Sequence, residues 1–229
     1  MQSSPLVLRR GYDHRVEKTK SGKKSDRDDV RTYKKYYSQI YKDLNKLEGV
    51  ELYNALSEKL DLDSYMKWLA FNFLVRNGDY SDEVFFYIEP QIKKYRIIPW
   101  DYDDIFASAP HEGSLQRNKI IGDKLIFSSE DDLDKKIASD PYLYKVYLTK
   151  FNEVLDILTP DVLKQVLENT YAELYPYFSD KDIIGNSQFD VYKDADINTL
   201  KSYLLTIYLQ ENAYRDKCLA ILKTGTKNN

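Results

Sequence analysis

The residues best suited to chemistry form a cluster of carboxylates in the stretch YRIIPWDYDDIF, residues 95–106. Asp101, Asp103 and Asp104 fall within four positions, directly after an apolar run and a Pro-Trp step. Carboxylates held this close repel one another unless water, a cation or a basic side chain neutralises them. The cluster therefore either lies on a solvated turn or binds something positively charged.

A second acidic group precedes the first, in NGDYSDEVFFYI, and consists of Asp79, Asp82 and Glu83. The runs VFFYI and YRIIP lie between the two groups, are rich in aromatic and β-branched residues, and flank a turn that contains Pro90. This pattern predicts a β-hairpin. The loop before the first strand of a hairpin and the turn after its second strand lie at the same end, so we expect the two acidic groups to converge.

Converging carboxylates with no histidine nearby suit a hard cation such as Mg²⁺, which takes one or two carboxylates and leaves positions for phosphate oxygens. A site for a softer metal lacks ligands, since the chain has one cysteine and only His14 and His111 as histidines. The same scarcity argues against a Ser-His-Asp or Cys-His hydrolase. His111 is either a participant from the loop beside the acids or a solvent-exposed loop residue.

Two other interpretations of the acids stay open at this point. Aspartate is common in turns, so the cluster can be a pair of solvated loop ends. Two carboxylates can also cleave a glycosidic bond. That reaction would need aromatic side chains that stack on sugar rings near the acids, for which only Trp100 and Tyr102 are at hand, and we expect Trp100 to pack beneath the turn.

The composition excludes several classes of protein. Acidic residues number 37 and basic residues 34, and the two signs are interleaved, which argues against a nucleic-acid binder. One cysteine rules out an internal disulfide framework. No apolar run approaches the roughly 18 residues of a membrane span, and the apolar stretch in MQSSPLVLRRGY is too short for a signal peptide.

The spacing of apolar residues predicts a mainly α protein with a small β-hairpin, in the α+β class. We interpret the 229 residues as one domain. Its predicted parts are an irregular, hinge-like start (1–27), helices (28–78), the acidic loop, hairpin and turn (79–106), a loop (107–127), a helical remainder (128–223) and a tail (224–229).

Local signals predict where several helices begin and end. We expect Asp63 to cap the helix that starts near residue 62, and Asn77-Gly78 to end it. Ser129 with Asp132 three residues later predicts another start. Thr159-Pro160 predicts a third.

The segments around the acids resemble a known family. LDLDSYMKWLAFNFLVRNGDYSDEVFFYI followed by YRIIPWDYDDIF resembles the CotH family of spore-coat-associated atypical protein kinases. Members show a Leu-Asp-rich helix start, an Asp after Asn-Gly or Asn-Trp, a tyrosine-rich strand and a Pro-Trp-Asp-x-Asp signature. GYDHRVEKTK and LIFSSEDDLDKKIASDPYLYKVYL are similar to flanking segments of the family, so the resemblance covers nearly the whole chain. It implies the fold of a protein-kinase-like C-terminal lobe.

The resemblance also implies roles for individual residues. Asp79 matches the catalytic aspartate, which orients the attacking hydroxyl and accepts its proton. Asp101 matches the magnesium aspartate, with Asp103 as a second ligand or as a support for the first. The family's asparagine shortly after the catalytic aspartate is absent, and Asp82 and Glu83 stand in that neighbourhood. Either carboxylate can bind Mg²⁺, although each adds a negative charge that repels an incoming phosphate.

A kinase N-lobe contributes a β-sheet, a loop that covers the nucleotide and a paired lysine and glutamate. The 27 residues before the first predicted helix leave no room for such a lobe, and the chain has no GxGxxG motif. We therefore expect the N-lobe to be absent or nearly so, and to come from a longer protein or a partner chain.

The resemblance implies a metal-dependent kinase that uses ATP with Mg²⁺ or Mn²⁺ to phosphorylate Ser or Thr of a protein substrate. The alternative is a catalytically inactive, kinase-like module for binding or for envelope or coat assembly. For the location of the protein, the resemblance points to the spore coat, to export or to the cell envelope.

Overall fold

The computed structural model describes residues 7–10, 16–17, 35, 37–79, 84–89, 91–106, 124–127, 131–186, 192 and 194–225. The chain divides into two compact units, Met1–Val154 and Leu155–Asn229. Two compact units can belong to one domain, so the prediction of a single domain stays a prediction.

Four strands form one antiparallel sheet in the first unit. They are β1 (Val7–Arg10), β2 (Val16–Glu17), β3 (Phe85–Ile88) and β4 (Tyr95–Ile98), in the spatial order β2-β1-β3-β4. The pair β3–β4 confirms the predicted hairpin, with Phe85 opposite Ile98 and Ile88 opposite Tyr95.

The prediction of an irregular start over residues 1–27 is wrong for β1 and β2. β1 pairs with β3, more than 70 positions further along the chain, with Val7 opposite Tyr87. Such a non-local pairing supplies the hydrogen bonds of a short strand, and it leaves no signal in the local sequence.

The helices follow the predicted order, and together with the small sheet they confirm the α+β class. In chain order they are α1 (37–44), α2 (Gly49–Lys59), α3 (Leu62–Leu74), α4 (Asp132–Ser139), α5 (Pro141–Ile157), α6 (Pro160–Ser179), α7 (Lys181–Gly185) and α8 (Ile197–Gly225). The sequence analysis does not predict α7. Within the described part of the chain, no helix combines the length and the apolar character needed to cross a membrane.

Two predicted caps are corrected and one is confirmed. Asp61, rather than Asp63, caps α3, and its carboxylate accepts hydrogen bonds from the backbone N (3.4 Å) and Oγ (2.9 Å) of Ser64. Asp63 lies in the first helical turn, where its backbone is already helical, and it pairs with Lys150 instead.

Asp131 caps α4 through the Leu133 N–H, while Ser129 lies outside the described residues. Thr159 caps α6 as predicted.

The buried side of the hairpin packs on aromatic rings of the helices. Phe86 and Tyr95 are buried, and both lie against Tyr37 of α1, with ring centroids 5.9 and 5.5 Å away. Phe86 also stacks on Tyr65 of α3 at 5.9 Å. These contacts hold α3 and the hairpin, whose ends flank the acids, in one layered core.

The start of α3 is also tied directly to β4. The Asp61 N–H donates to the Tyr95 carbonyl (2.7 Å), and Arg96 Nε donates to an Asp61 carboxylate oxygen (2.8 Å). Leu60 forms a bridge with Tyr95 on the edge of β4 that faces away from β3. Helix α3 therefore starts at a defined place relative to the strand that leads into the acids.

Buried aspartates of the following helices bind α3 and its neighbours. Tyr65 of α3 donates to Asp134, and Tyr41 of α1 donates to Asp131 (2.9 Å). Asp140 accepts hydrogen bonds from the backbone N–H groups of Gly49 (2.8 Å) and Leu143 (3.0 Å). Each carboxylate joins elements far apart in sequence, so α1, α2 and α3 are held against α4 and α5.

Residues 124–127 form the described end of the predicted loop over 107–127. They have no helix or strand, in line with the prediction, yet Leu125, Ile126 and Phe127 are buried. The Leu125 carbonyl accepts a hydrogen bond from the Tyr147 hydroxyl (2.6 Å). The end of the loop is thus part of the core of the first unit.

The second unit is built on α6 and α8, which pack against each other. Leu200, Leu204 and Ile207 form the buried stripe of α8, and Cys218 continues it as a free, buried thiol. Arg215 donates to the carbonyl oxygens of Leu155 and Leu158, both at 3.2 Å. These bonds satisfy backbone acceptors at the end of α5.

We predict that Asp140→Ala lowers the free energy of unfolding by about 2 kcal/mol or more, because it removes a cap and leaves backbone donors without their partner. Chemical denaturation measures the change. Glu58→Ala, which removes an exposed carboxylate from α2, is the matched control and should change stability by less than about 0.5 kcal/mol. Equal effects of the two variants would contradict the anchoring role of Asp140.

We also predict that acid destabilises the fold through Asp61 and Asp140. Burial alone would raise the pKa of each group, but hydrogen bonds outweigh this effect. Those from Arg96 and Ser64 lower the pKa of Asp61, and those from backbone N–H groups lower the pKa of Asp140. The folded pKa values thus lie below the unfolded value of about 3.9. The stabilisation is complete above the unfolded pKa and is lost as pH falls through the folded pKa values.

Urea unfolding between pH 6 and pH 3 tests this linkage. The double variant Asp61→Asn/Asp140→Asn should lose less stability over this range than the wild type does. A pH dependence identical to that of the wild type would show that other groups are responsible.

Candidate functional site

The structure joins two chain segments that carry acidic residues. We call residues 75–79 the α3 exit loop and residues 99–106 the acidic turn. The Gly78 N–H donates to the Asp104 carbonyl (3.2 Å), and the Phe106 N–H donates to the Val75 carbonyl (2.7 Å). These backbone hydrogen bonds bring together the loop that contains Asp79 and the turn that contains Asp101.

The side chain of Asn77 adds a second connection between the same segments. It is fully buried, and its Nδ2 donates to the Asp101 carbonyl (3.3 Å) and to Asn72 Oδ1 (3.0 Å). Its Oδ1 accepts a hydrogen bond from the Asp79 N–H (3.1 Å). One buried amide therefore touches the backbone of both Asp79 and Asp101.

The backbone around these contacts is in an unusual conformation. Arg76, Asp101 and Phe106 have φ values of 50°, 53° and 61°, in the left-handed region. Among the described residues that are not glycine, only Lys93 of the hairpin shares this property. Such a conformation costs roughly 1 kcal/mol or more at each residue and persists where surrounding contacts enforce it. Three of the four instances lie in the α3 exit loop and the acidic turn.

The predicted site residues occupy different environments. Asp79 and Asp104 are half-buried, whereas Asp101 and Asp103 are exposed. Asp82, Glu83 and His111 lie outside the described residues. Within the described part of the chain, no three His, Cys, Asp or Glu side chains are grouped as a metal site would need. Of the predicted site residues, the structure therefore describes the catalytic candidate Asp79 and the metal-ligand candidates Asp101 and Asp103.

Trp100 does not occupy the position expected from the sequence. Trp100 is 54% exposed and lies edge-on to Phe85 (5.6 Å), so the prediction that it packs beneath the turn is wrong. Tyr102 is half-buried against Phe71 of α3 (5.6 Å). The left-handed Asp101 between them breaks the two-residue alternation of an extended chain, which is why alternation fails to predict which ring turns inward.

The Tyr102 hydroxyl reaches the polar groups of α3. Burial raises the pKa of Tyr102, and hydrogen bonding with the side chains of Trp68 and Asn72 offsets part of the increase. Asn72 is itself fully buried, and its Nδ2 donates to the Trp68 carbonyl (2.8 Å). The inward face of the acidic turn is therefore in polar contact with α3.

Asn72 and Asn77 are the residues that the sequence analysis misses. Asn77 is predicted only as part of a helix stop, and Asn72 stands unnoticed in the apolar run LAFNFL. A single amide within an otherwise apolar stretch of helix is a usable signal, because a buried polar group needs hydrogen-bond partners. Nothing in the sequence shows that its partner is Asn77.

In chemical terms, the arrangement holds two acidic segments beside each other, joined through their backbones, on a buried polar support. Carboxylates at a solvent-accessible edge can take up a hard cation or accept a proton. The frame below them consists of neutral amides and a phenol, so it adds no opposing charge. Among the described residues of the two segments, the aspartates contribute negative charge and Arg76 contributes positive charge.

Comparison with known proteins agrees with the resemblance. A family model described as CotH kinase protein matches residues 8–214. Searches among curated proteins and among solved structures found no match. The matched range contains the α3 exit loop, the hairpin and the acidic turn, and it spans most of the 229 residues. On this evidence, the chain belongs to the CotH kinase family.

Proposed function

We propose that this chain is the C-terminal lobe of a metal-dependent kinase that transfers the γ-phosphoryl group of ATP to Ser or Thr of a protein. The observation that carries the proposal is the contact of Asn77 with both Asp79 and Asp101. Protein kinases need one aspartate near the acceptor hydroxyl and another at the metal. Membership of the CotH kinase family supports the same reaction class.

In this proposal Asp79 is the catalytic aspartate. It orients the acceptor hydroxyl and takes up its proton as the hydroxyl oxygen bonds to the γ-phosphorus. The bond between that phosphorus and the bridging oxygen breaks in the same step, and ADP leaves. The half-buried position of Asp79 suits the role, because its backbone N–H is held by Asn77 while its carboxylate stays within reach of solvent.

Asp101 and Asp103 are the proposed metal ligands, with Asp82 and Glu83 as further candidates outside the described residues. The donor set fits Mg²⁺ or Mn²⁺, since carboxylates are hard ligands and Mg²⁺ requires only one or two of them. When bound, the ion would offset the negative charge that develops on the phosphate oxygens. The exposure of Asp101 and Asp103 leaves room for a nucleotide to approach.

The nucleotide-covering part of the kinase is proposed to come from a longer form of the protein or from a partner chain. The chain has no GxGxxG motif, and residues 7–10 and 16–17 extend the sheet of the hairpin. An inactive module for binding or for coat assembly is the second candidate. The observation that favours it is that Asp82 and Glu83 stand where relatives of the family carry a metal-binding asparagine.

Phosphoryl transfer tests the proposal directly. The longest natural form of the protein, incubated with labelled ATP, Mg²⁺ or Mn²⁺ and a protein rich in Ser and Thr, should transfer label. Asp79→Asn should lower kcat by about 100-fold or more, the usual contribution of a general base. Asp101→Asn should do the same through loss of the metal, and chelation by EDTA should abolish transfer.

Asp161→Asn is the matched control, since it removes an exposed carboxylate from α6 in the second unit. It should keep activity within about twofold of the wild type. Equal activity of Asp79→Asn, Asp101→Asn and the control would contradict the kinase proposal. Absence of transfer by the wild type would favour the inactive module.

Thermal unfolding provides a test without turnover. ATP with Mg²⁺ should raise the Tm of the wild type, since a ligand at 100 times its Kd adds about 2.7 kcal/mol of stability. Asp101→Asn should remove the increase and leave the Tm without ligand nearly unchanged. An equal increase in both proteins would show that the nucleotide binds away from the acidic turn.

A further inference from the structure

Two asparagine side chains, Asn72 and Asn77, are buried next to the acidic segments, where apolar side chains could fill the same space. Asn72 and Asn77 are both fully buried, and a buried amide without hydrogen bonds is destabilising. Their side chains bond to each other (3.0 Å), so each satisfies part of the other's need. An apolar pair of similar volume would fill the same space without this requirement. The amides offer directional bonds to other segments, which an apolar pair lacks.

Asn77 makes those bonds toward both acidic segments. Its Nδ2 donates to the Asp101 carbonyl, and its Oδ1 accepts from the Asp79 N–H. The Asn77 N–H also donates to the Asn72 carbonyl (2.9 Å), so the backbone at this position is fixed to α3. A single amide plane therefore bridges the backbones of Asp79 and Asp101, in addition to the backbone hydrogen bonds that join the two segments.

Tyr102 supplies a further contact next to Asp101. Its ring packs on Phe71 (5.6 Å), and interaction with the Asn72 side chain offsets part of the increase that burial causes in the pKa of its hydroxyl. Tyr102 stands between Asp101 and Asp103 in sequence, so fixing its side chain limits the movement of both exposed carboxylates. The acidic turn is then held at two consecutive residues, at the Asp101 carbonyl by Asn77 and at the Tyr102 ring by Phe71 of α3.

We propose that Asn72, Asn77 and Tyr102 act as positioning residues that set the spacing of the segments bearing Asp79 and Asp101. We call these three residues the polar clamp. Its effect on catalysis rests on the proposed function. Phosphoryl transfer depends mainly on positioning and electrostatics, so a displacement of about 1 Å can cost about 100-fold in rate. The polar clamp thus contributes to the reaction without touching substrate, metal or nucleotide.

Two substitutions test the polar clamp at different points. Tyr102→Phe keeps the ring against Phe71 and deletes only the hydroxyl. Asn77→Ala removes the contacts with both acidic segments and is the more disruptive change. The matched control is Tyr53→Phe, which deletes the hydroxyl of another half-buried tyrosine. That hydroxyl donates to Asp63 (3.3 Å), away from the acidic turn.

The primary measurement is amide hydrogen exchange by NMR, without metal or nucleotide. The amides of Gly78 and Asp79 report on the clamp because they donate to the Asp104 carbonyl and to Asn77 Oδ1. Tyr102→Phe should increase exchange at both amides by about tenfold, while the amide of Leu69 in α3 keeps its wild-type rate. Asn77→Ala should increase exchange further, and Tyr53→Phe should change neither amide. Unchanged exchange in Tyr102→Phe would overturn the proposal.

Titration with Mn²⁺ alone separates the polar clamp from the proposed function. If both hold, Mn²⁺ binds the wild type, Tyr102→Phe weakens the binding by about tenfold, and Asp101→Asn abolishes it. In the active protein, Tyr102→Phe should lower kcat and leave the KM for ATP unchanged. If exchange increases as expected but the wild type binds no Mn²⁺, the polar clamp stands and the metal-dependent function fails. If Mn²⁺ binds the wild type and Tyr102→Phe equally, the polar clamp has no effect on the site.

Discussion

The arrangement of the acidic residues depends on the hydrogen bonds of one buried side chain, the amide of Asn77. Its donor end meets the Asp101 carbonyl and its acceptor end meets the Asp79 N–H. A carboxylate would lack the donor and an amine the acceptor, whereas an amide has both in one plane. Because the group is buried, water does not compete for these bonds, and each is worth more than it would be at the surface.

Much of the first unit serves to place this amide. Helix α3 ends just before Asn77, so the position of the helix decides where the amide lies. Its start is fixed to β4 through Asp61 and Arg96, and its middle is fixed to α4 by the bond from Tyr65 to Asp134. On the same helix, Asp63 pairs with Lys150 of α5 (2.8 Å). β4 then leads directly into the acidic turn, so the same contacts determine both sides of the candidate site.

The corrections to the sequence analysis share a physical origin. β1 forms because it pairs with β3, and no local sequence pattern predicts this pairing. Asp61 replaces Asp63 as the cap because α3 begins where β4 holds the chain. Trp100 turns outward and Tyr102 inward because Asp101 adopts a left-handed conformation, and the contact of its carbonyl with Asn77 of the α3 exit loop holds it there. In each case a tertiary contact overrides a sound local preference.

By itself, the sequence determined the α+β class, the succession of helices, the hairpin and the family, because these depend on hydrophobic period, turn residues and a compact motif. It also indicated that the acids before and after the hairpin would meet, since the two ends of a hairpin are joined by its strands. Only the tertiary structure decided how they meet. Asn72 and Asn77 are recognised as site residues only through their hydrogen bonds with other segments. Those bonds form only when the fold brings donor and acceptor within hydrogen-bonding distance.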